Sequence, residues 1–220
     1  MRIVIAGGHG KIALLLEKLL SSRGDSVAGL IRDPGQSADL VMAGAEPVVL
    51  DLEHAAAGQV AEAVHGADAI VFAAGAGPGS GAARKDTMDR AGAILLADGA
   101  QAAGVSRYVM ISSTGADADA PDGDDPVFGA YLRAKGAADA AVLARVGLHP
   151  VIVRPGGLTN DPGTGLVTIA GSTGRGHIPR ADVAAVLLAV LGAPGLAGQV
   201  FEVISGPIPV PEAVAARVPR

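Results

Sequence analysis

Seven short and almost unbroken apolar runs recur along the chain: IVIA (3–6), VAGLI (27–31), PVVL (47–50), AIVFAA (69–74), YVMIS (108–112), PVIV (150–153) and VFEVI (200–204). A strand with one face in water alternates apolar and polar residues, so runs that do not alternate describe strands covered on both faces. Such sheets are parallel, and parallel neighbours need long crossovers. The segments KIALLLEKLLSSRG (11–24), AGQVAEAVHGAD (57–68), MDRAGAILLADGAQAAG (88–104), FGAYLRAKGAADAAVLARVG (128–147) and RADVAAVLLAVLG (180–192) supply them, with apolar residues at helical spacing. The expected fold is α/β: a doubly wound, mostly parallel sheet of about seven strands with helices on both faces.

Half of the 220 residues are apolar, which suits one domain over 1–220, with small substrate-side segments near 156–180 and 205–220. There is no cysteine, so disulfide frameworks, thiolate zinc sites and cysteine nucleophiles are excluded. A net charge of −5 argues against a nucleic-acid surface and favours small-molecule partners. The N-terminal apolar run is too short for a secretory signal, and the uncharged stretch Val183 to Phe201 is interrupted by GAPG at 192–195. No membrane span and a cytoplasmic location are therefore expected. Nothing in the sequence sets the oligomeric state. The acidic loop GADADAPDGDDP (115–126) places Pro121 and Phe128 where a calcium loop needs ligands, so it reads as a solvated, mobile rim. His54, His65, His149 and His177 lack the i, i+3 or i, i+4 spacing of metal ligands.

The first strand runs into GGHGKIA, glycines between a strand and a helix. Two registers fit a dinucleotide fingerprint: Gly8, Gly10 and Ala13, or Gly7, Gly10 and Ala13. In either, a missing Cβ permits a tight turn and the close approach of a pyrophosphate to free amides at the helix start. His9 stands at the loop tip, and Lys11 adds charge beside it. The second strand ends in LIRDPGQ: Arg32 comes first, and Asp33 precedes Pro34, already turning away. An arginine there accommodates a 2′-phosphate where an acidic residue would take ribose hydroxyls, so NADP(H) is preferred, with NAD(H) as the alternative.

YLRAK places Tyr131 and Lys135 four residues apart on one helix face. A nearby cation favours a phenolate, which suits the tyrosine to proton transfer. Upstream, VMISSTGAD ends a strand with Ser112, Ser113 and Thr114, hydroxyls facing the ligand crevice at a strand's carboxyl end. Either Ser113 or Thr114 is the candidate for binding a substrate oxygen. With two tyrosines, three phenylalanines and no tryptophan, the chain has little π surface for a large planar acceptor.

In order along nearly the whole chain, AGGHGKIA, LIRDP, VVLDLE, VFAAGAG, YVMISSTGA, YLRAKGAAD, VIVRPGGLTNDPGTG and IPRADVA resemble an atypical short-chain dehydrogenase/reductase. The chain looks like the NAD(P)-binding epimerase or reductase group near the NmrA-like and biliverdin-reductase-B-like proteins. The resemblance implies a Rossmann sheet in which Gly7, Gly10 and Ala13 form the pyrophosphate turn, flanked by His9, Lys11 and Ile12, and Arg32 takes the adenosine phosphate. It further implies that Asp51 and Leu52 line the adenine site and that Ala73, Ala74 and Gly75 pass the cofactor's centre, with Ser112 beside it. Tyr131 would be the acid/base and Lys135 would hold the nicotinamide ribose. RPGG from Arg154, with Pro155 and Gly156, would frame the nicotinamide. Thr114 is the aligned hydroxyl and Ser113 its close rival; no catalytic asparagine is identifiable. The expected function is NADP-dependent reduction of a small carbonyl-like substrate, ahead of sugar epimerisation or dehydration, or NmrA-like cofactor sensing.

Overall fold

Each of the seven apolar runs forms a strand of one sheet in the computed structural model, which describes residues 1–77 and 79–219. Pro78, in the stretch GPGSG at 77–81, and Arg220, at the end of the expected C-terminal segment, lie outside the described residues.

The chain runs from β1 (Arg2–Ala6) through the glycine turn to α1 (Lys11–Arg23), β2 (Ser26–Ile31), α2 (Ser37–Met42), β3 (Glu46–Val49), α3 (Ala57–Val64) and β4 (Ala69–Phe72). A short α4 (Ala82–Arg84) widens into a π-helix (Lys85–Gly92) that tightens again into α5 (Ala93–Ala102), followed by β5 (Arg107–Ile111), α6 (Pro126–Leu143) and β6 (His149–Pro155). After β6 come β7 (Gly157–Thr159), β8 (Leu166–Ala170), β9 (His177–Pro179), α7 (Arg180–Leu191), β10 (Val200–Ser205), β11 (Ile208–Pro209) and α8 (Val210–Ala215).

The seven anticipated strands pair in parallel in the order β3-β2-β1-β4-β5-β6-β10. Two antiparallel strands, β8 and β11, extend the β10 edge, so the sheet has nine strands. A separate parallel pair joins β7 to β9. Alternate residues of β1 face opposite layers: Ile3 and Ile5 pack with Leu16 and Leu20 of α1 and Leu187 of α7, while Val4 and Ala6 pack with Val60, Leu96 and Val142 of α3, α5 and α6. That two-sided burial is why the runs do not alternate. The strand order reverses between β1 and β4, and ligand crevices open at the carboxyl ends of strands beside such a reversal.

Helix α6 starts where Asp125 accepts amide hydrogen bonds from Val127 and Phe128 at 3.0 and 3.1 Å and Pro126 occupies the first turn. The acidic loop is exposed at most of its residues, as expected, and hydrogen bonds anchor it on this helix. The Asp117 amide donates to Leu132 O at 3.2 Å, and Arg133 donates to Ala120 O and Asp122 at 2.7 Å. Gly136 permits it, since a Cβ there would collide with the backbone of Asp117 and Ala118. No helix among the described residues is long and apolar enough to cross a membrane.

Candidate active site

The glycine turn settles on one of its two registers. Gly7 has φ +80°, and a Cβ on it would stand 2.6 Å from the Ala74 Cα at the end of β4. Gly7 and Gly10 line the cleft, whereas Gly8 faces Gly29 of β2. The Gly10 amide closes the turn on Gly7 O at 2.9 Å, and α1 begins with no side-chain cap on its first amides. Uncapped amides at a helix start, reached over bare backbone, make a seat for an anion.

This turn opens a cavity of about 340 Å³ whose far wall carries Arg32, Gln36, Asp51, Leu52 and Arg84. Glu53 organises the cations: it accepts from Arg84 Nη2 at 2.9 Å and Thr87 Oγ1 at 2.7 Å, with Arg32 Nη1 farther off at 3.7 Å. The Arg84 hydrogen bond holds the Glu53 carboxyl below the usual range, reinforced by Thr87 against burial. Burial pushes the Asp51 carboxyl up, but the Glu53 amide, His54 and the charge of Arg32 outweigh it and hold it low. His9 lines the same cavity, with Nε2 2.7 Å from Asp39 Oδ2.

Past the ends of β4 lies a second cavity of about 740 Å³. Ala73, Ala74, Gly75 and Gly77 belong to both walls, so the two cavities form one continuous cleft. Ile12, Ser112, Tyr131 and Lys135 line the second, as the sequence anticipates, together with Phe128 and Leu158. Lys135 is buried, donates to Ile111 O at 3.1 Å, and lies 3.2 Å from Asp89 Oδ1 and 5.9 Å from the centre of the Tyr131 ring. A second lysine, Lys85, stands 5.3 Å from that ring centre. The other tyrosine, Tyr108, is fully buried, donates to Ala93 O at 2.9 Å, and has its phenol pushed up by burial, which leaves Tyr131 as the tyrosine open to the cleft.

Several anticipated residues stand elsewhere. Ser113 Oγ donates to Thr114 O and Thr114 Oγ1 to Arg154 O, both at 3.2 Å, and neither hydroxyl lines the cavities. Of the three strand-end residues Ser112 lines the larger cavity, and its Oγ donates to buried Asp139 at 2.9 Å. Burial pushes the Asp139 carboxyl up against the pull of Ser112 and Arg154, which also bonds it at 2.8 Å. Pro155 ends β6, Gly156 packs under Gly176, and Lys11 reaches Asn160 at 3.4 Å, so none of the three forms a cavity wall. Asp89 was not legible as a site residue: it sits in the π-helix, is buried, and accepts from the Ala76 amide at 3.2 Å while pairing with Lys135. Wide helical turns of this kind often mark functional positions.

A glycine turn with uncapped amides at the sheet's reversal point is the geometry of a dinucleotide seat. Residues 7–194 match the family described as NAD(P)H-binding. The chain belongs to that family. A curated relative of this NAD(P)H-binding chain is the uncharacterized sugar epimerase YhfK of Bacillus subtilis, 35% identical over 97% of this chain and 99% of its own. Among solved structures, a candidate NAD-dependent epimerase/dehydratase from Bacillus halodurans is 34% identical with a TM-score of 0.90, covering 98% of this chain and 99% of that one. ChuY, an anaerobillin reductase from Escherichia coli O157:H7, is 26% identical with a TM-score of 0.78, covering 93% and 97%.

Proposed function

We propose that the protein is an NADP-dependent oxidoreductase that reduces a small carbonyl substrate, with Tyr131 as the proton donor. The observation that carries the reading is the continuous cleft, in which the walls around the glycine turn and those around Tyr131 share Ala73, Ala74, Gly75 and Gly77. The residues fit a nicotinamide dinucleotide, because the uncapped amides at the start of α1 and the close approach at Gly7 leave room for a diphosphate on bare backbone.

When bound, the reduced nicotinamide supplies a hydride. The turn at Gly7 and Gly10 receives the diphosphate, and Arg32, loosely held by Glu53, meets the 2′-phosphate. Tyr131 gives its phenolic proton to the substrate oxygen as that oxygen gains charge. Lys135, fixed by Asp89 and Ile111 O, places a positive charge beside the ring where negative charge develops. Ser112 lines this cavity with its hydroxyl proton given to Asp139, so Tyr131 is the hydroxyl that donates to the substrate oxygen.

Epimerisation is the second reading, favoured by the names of the two Bacillus relatives. Ile12, Ile111, Val127, Phe128 and Leu158 in the larger cavity weigh against it, since apolar walls leave the hydroxyls of a sugar unpaired. A panel of aldehydes, ketones and quinones with NADPH, followed by absorbance, tests the proposal together with Tyr131→Phe. Turnover should fall by about 10²–10⁴-fold in that variant while NADPH still binds. Unimpaired turnover would remove Tyr131 from the chemistry.

A further inference from the structure

The larger cavity carries four charged side chains, Lys85, Asp89, Asp125 and Lys135. Three are already spoken for. Asp89 and Lys135 neutralise one another at 3.2 Å, both buried. Asp125 turns Oδ1 to the Val127 and Phe128 amides and faces the positive end of α6. Two carboxylates outside the lining are engaged as well, Asp86 by Arg90 and Glu53 by Arg84.

Lys85 is different. Among the described residues it has no carboxylate partner; its Nζ donates to Gly77 O at 2.9 Å and lies over the Tyr131 ring at 5.3 Å. An ammonium has three protons, so one carbonyl leaves it two to offer. Beside it stand Phe128, more than half exposed, and Val127. Phe128 lies 5.9 Å from Tyr131 centre to centre, so two of the chain's few aromatic rings stand together on one wall.

We infer that the substrate of this cleft is an amphipathic carbonyl compound: an apolar, ring-bearing body laid against Phe128, with an anionic group, a carboxylate in the first instance, held by Lys85. The inference rests on the reductase reading and names its substrate class. The chain has little π surface, and two of its five rings stand on this wall.

Calorimetric titration of the NADP-saturated protein with naphthoate and with its neutral analogue naphthamide tests this. The carboxylate should bind about tenfold more tightly than the amide, a margin that shrinks as salt rises. The margin should vanish in Lys85→Gln and persist in Lys85→Arg, with NADPH titration verifying that both variants fold. Equal affinities in the wild type, failure of both compounds to bind, or a carboxylate preference that survives Lys85→Gln would overturn the inference. Failure of the reductase reading would show separately, as unimpaired turnover in Tyr131→Phe or as no NADPH binding at all.

Discussion

Arg32 and Arg84 both approach Glu53, but Arg84 binds it closely while Arg32 stays half exposed at 3.7 Å. The loosely held guanidinium is the one free to turn toward a phosphate. Arg32→Ala is therefore expected to weaken NADPH roughly tenfold or more, as befits loss of a charge-assisted contact, and NADH far less. Fluorescence titration of both nucleotides checks it, and an equal loss for the two would contradict the assignment. Arg32, Tyr131 and Lys135 were legible because each is defined by neighbours close in sequence, a strand end in one case and one helical turn in the other. Asp89 and Lys85 were not, because their meaning comes from α6, which the fold brings to them across a long stretch of chain. Ser113 and Thr114 failed to reach the cavity for a related reason. A run of three hydroxyls reads as one feature in sequence, but of the three residues Ser112 lines the cavity, and even its hydroxyl bonds Asp139.

At the scale of elements, the seven strands and their crossover helices follow from periodicity, which is local and strong. The antiparallel strands β8 and β11 were hidden: β11 has two residues, and β8 pairs only with partners formed much later in the chain. The π-helix was hidden too, because Lys85 to Gly92 carries an ordinary helical pattern and the widening shows only in its hydrogen bonds. Its consequence is energetic as well as chemical. The wide turn carries Asp89 inward to meet Lys135, a buried pair that is the one ion pair either residue makes among the described residues. Asp89→Asn should cost about 3–5 kcal/mol in denaturant unfolding, because it strands an ammonium away from water. The double variant Asp89→Asn with Lys135→Met should recover much of that loss, and a simple sum of the two single effects would show that the pair is not coupled.

For the molecule as a whole, Glu17 sets a pH dependence. It lies on α1, fully buried toward Gly8 and Gly29, and neither carboxyl oxygen has a hydrogen-bond partner among the described residues. Burial pushes its carboxyl from 4.5 up to about 8. Below its unfolded value both states hold the proton and no penalty arises. Between there and about 8 the unfolded chain releases it while the folded chain keeps it, so stability falls as pH rises, by up to ~1.4 kcal/mol per pH unit. The carboxyls held low, Asp25 and Glu53 among them, act only in more acidic solution. Urea unfolding between those two pH values should show the slope in the wild type and a nearly flat line in Glu17→Gln; identical slopes would mean that water reaches the carboxyl. The partition between the two chambers of the cleft carries a different consequence. It is a low sill of methyl groups and bare peptide, and the long side chains stand on the far banks. Remodelling the bank on α6, whose Val127, Phe128 and Tyr131 line the larger chamber and not the smaller, would reshape one chamber while the walls of the other stay as they were, so the two can be engineered one at a time.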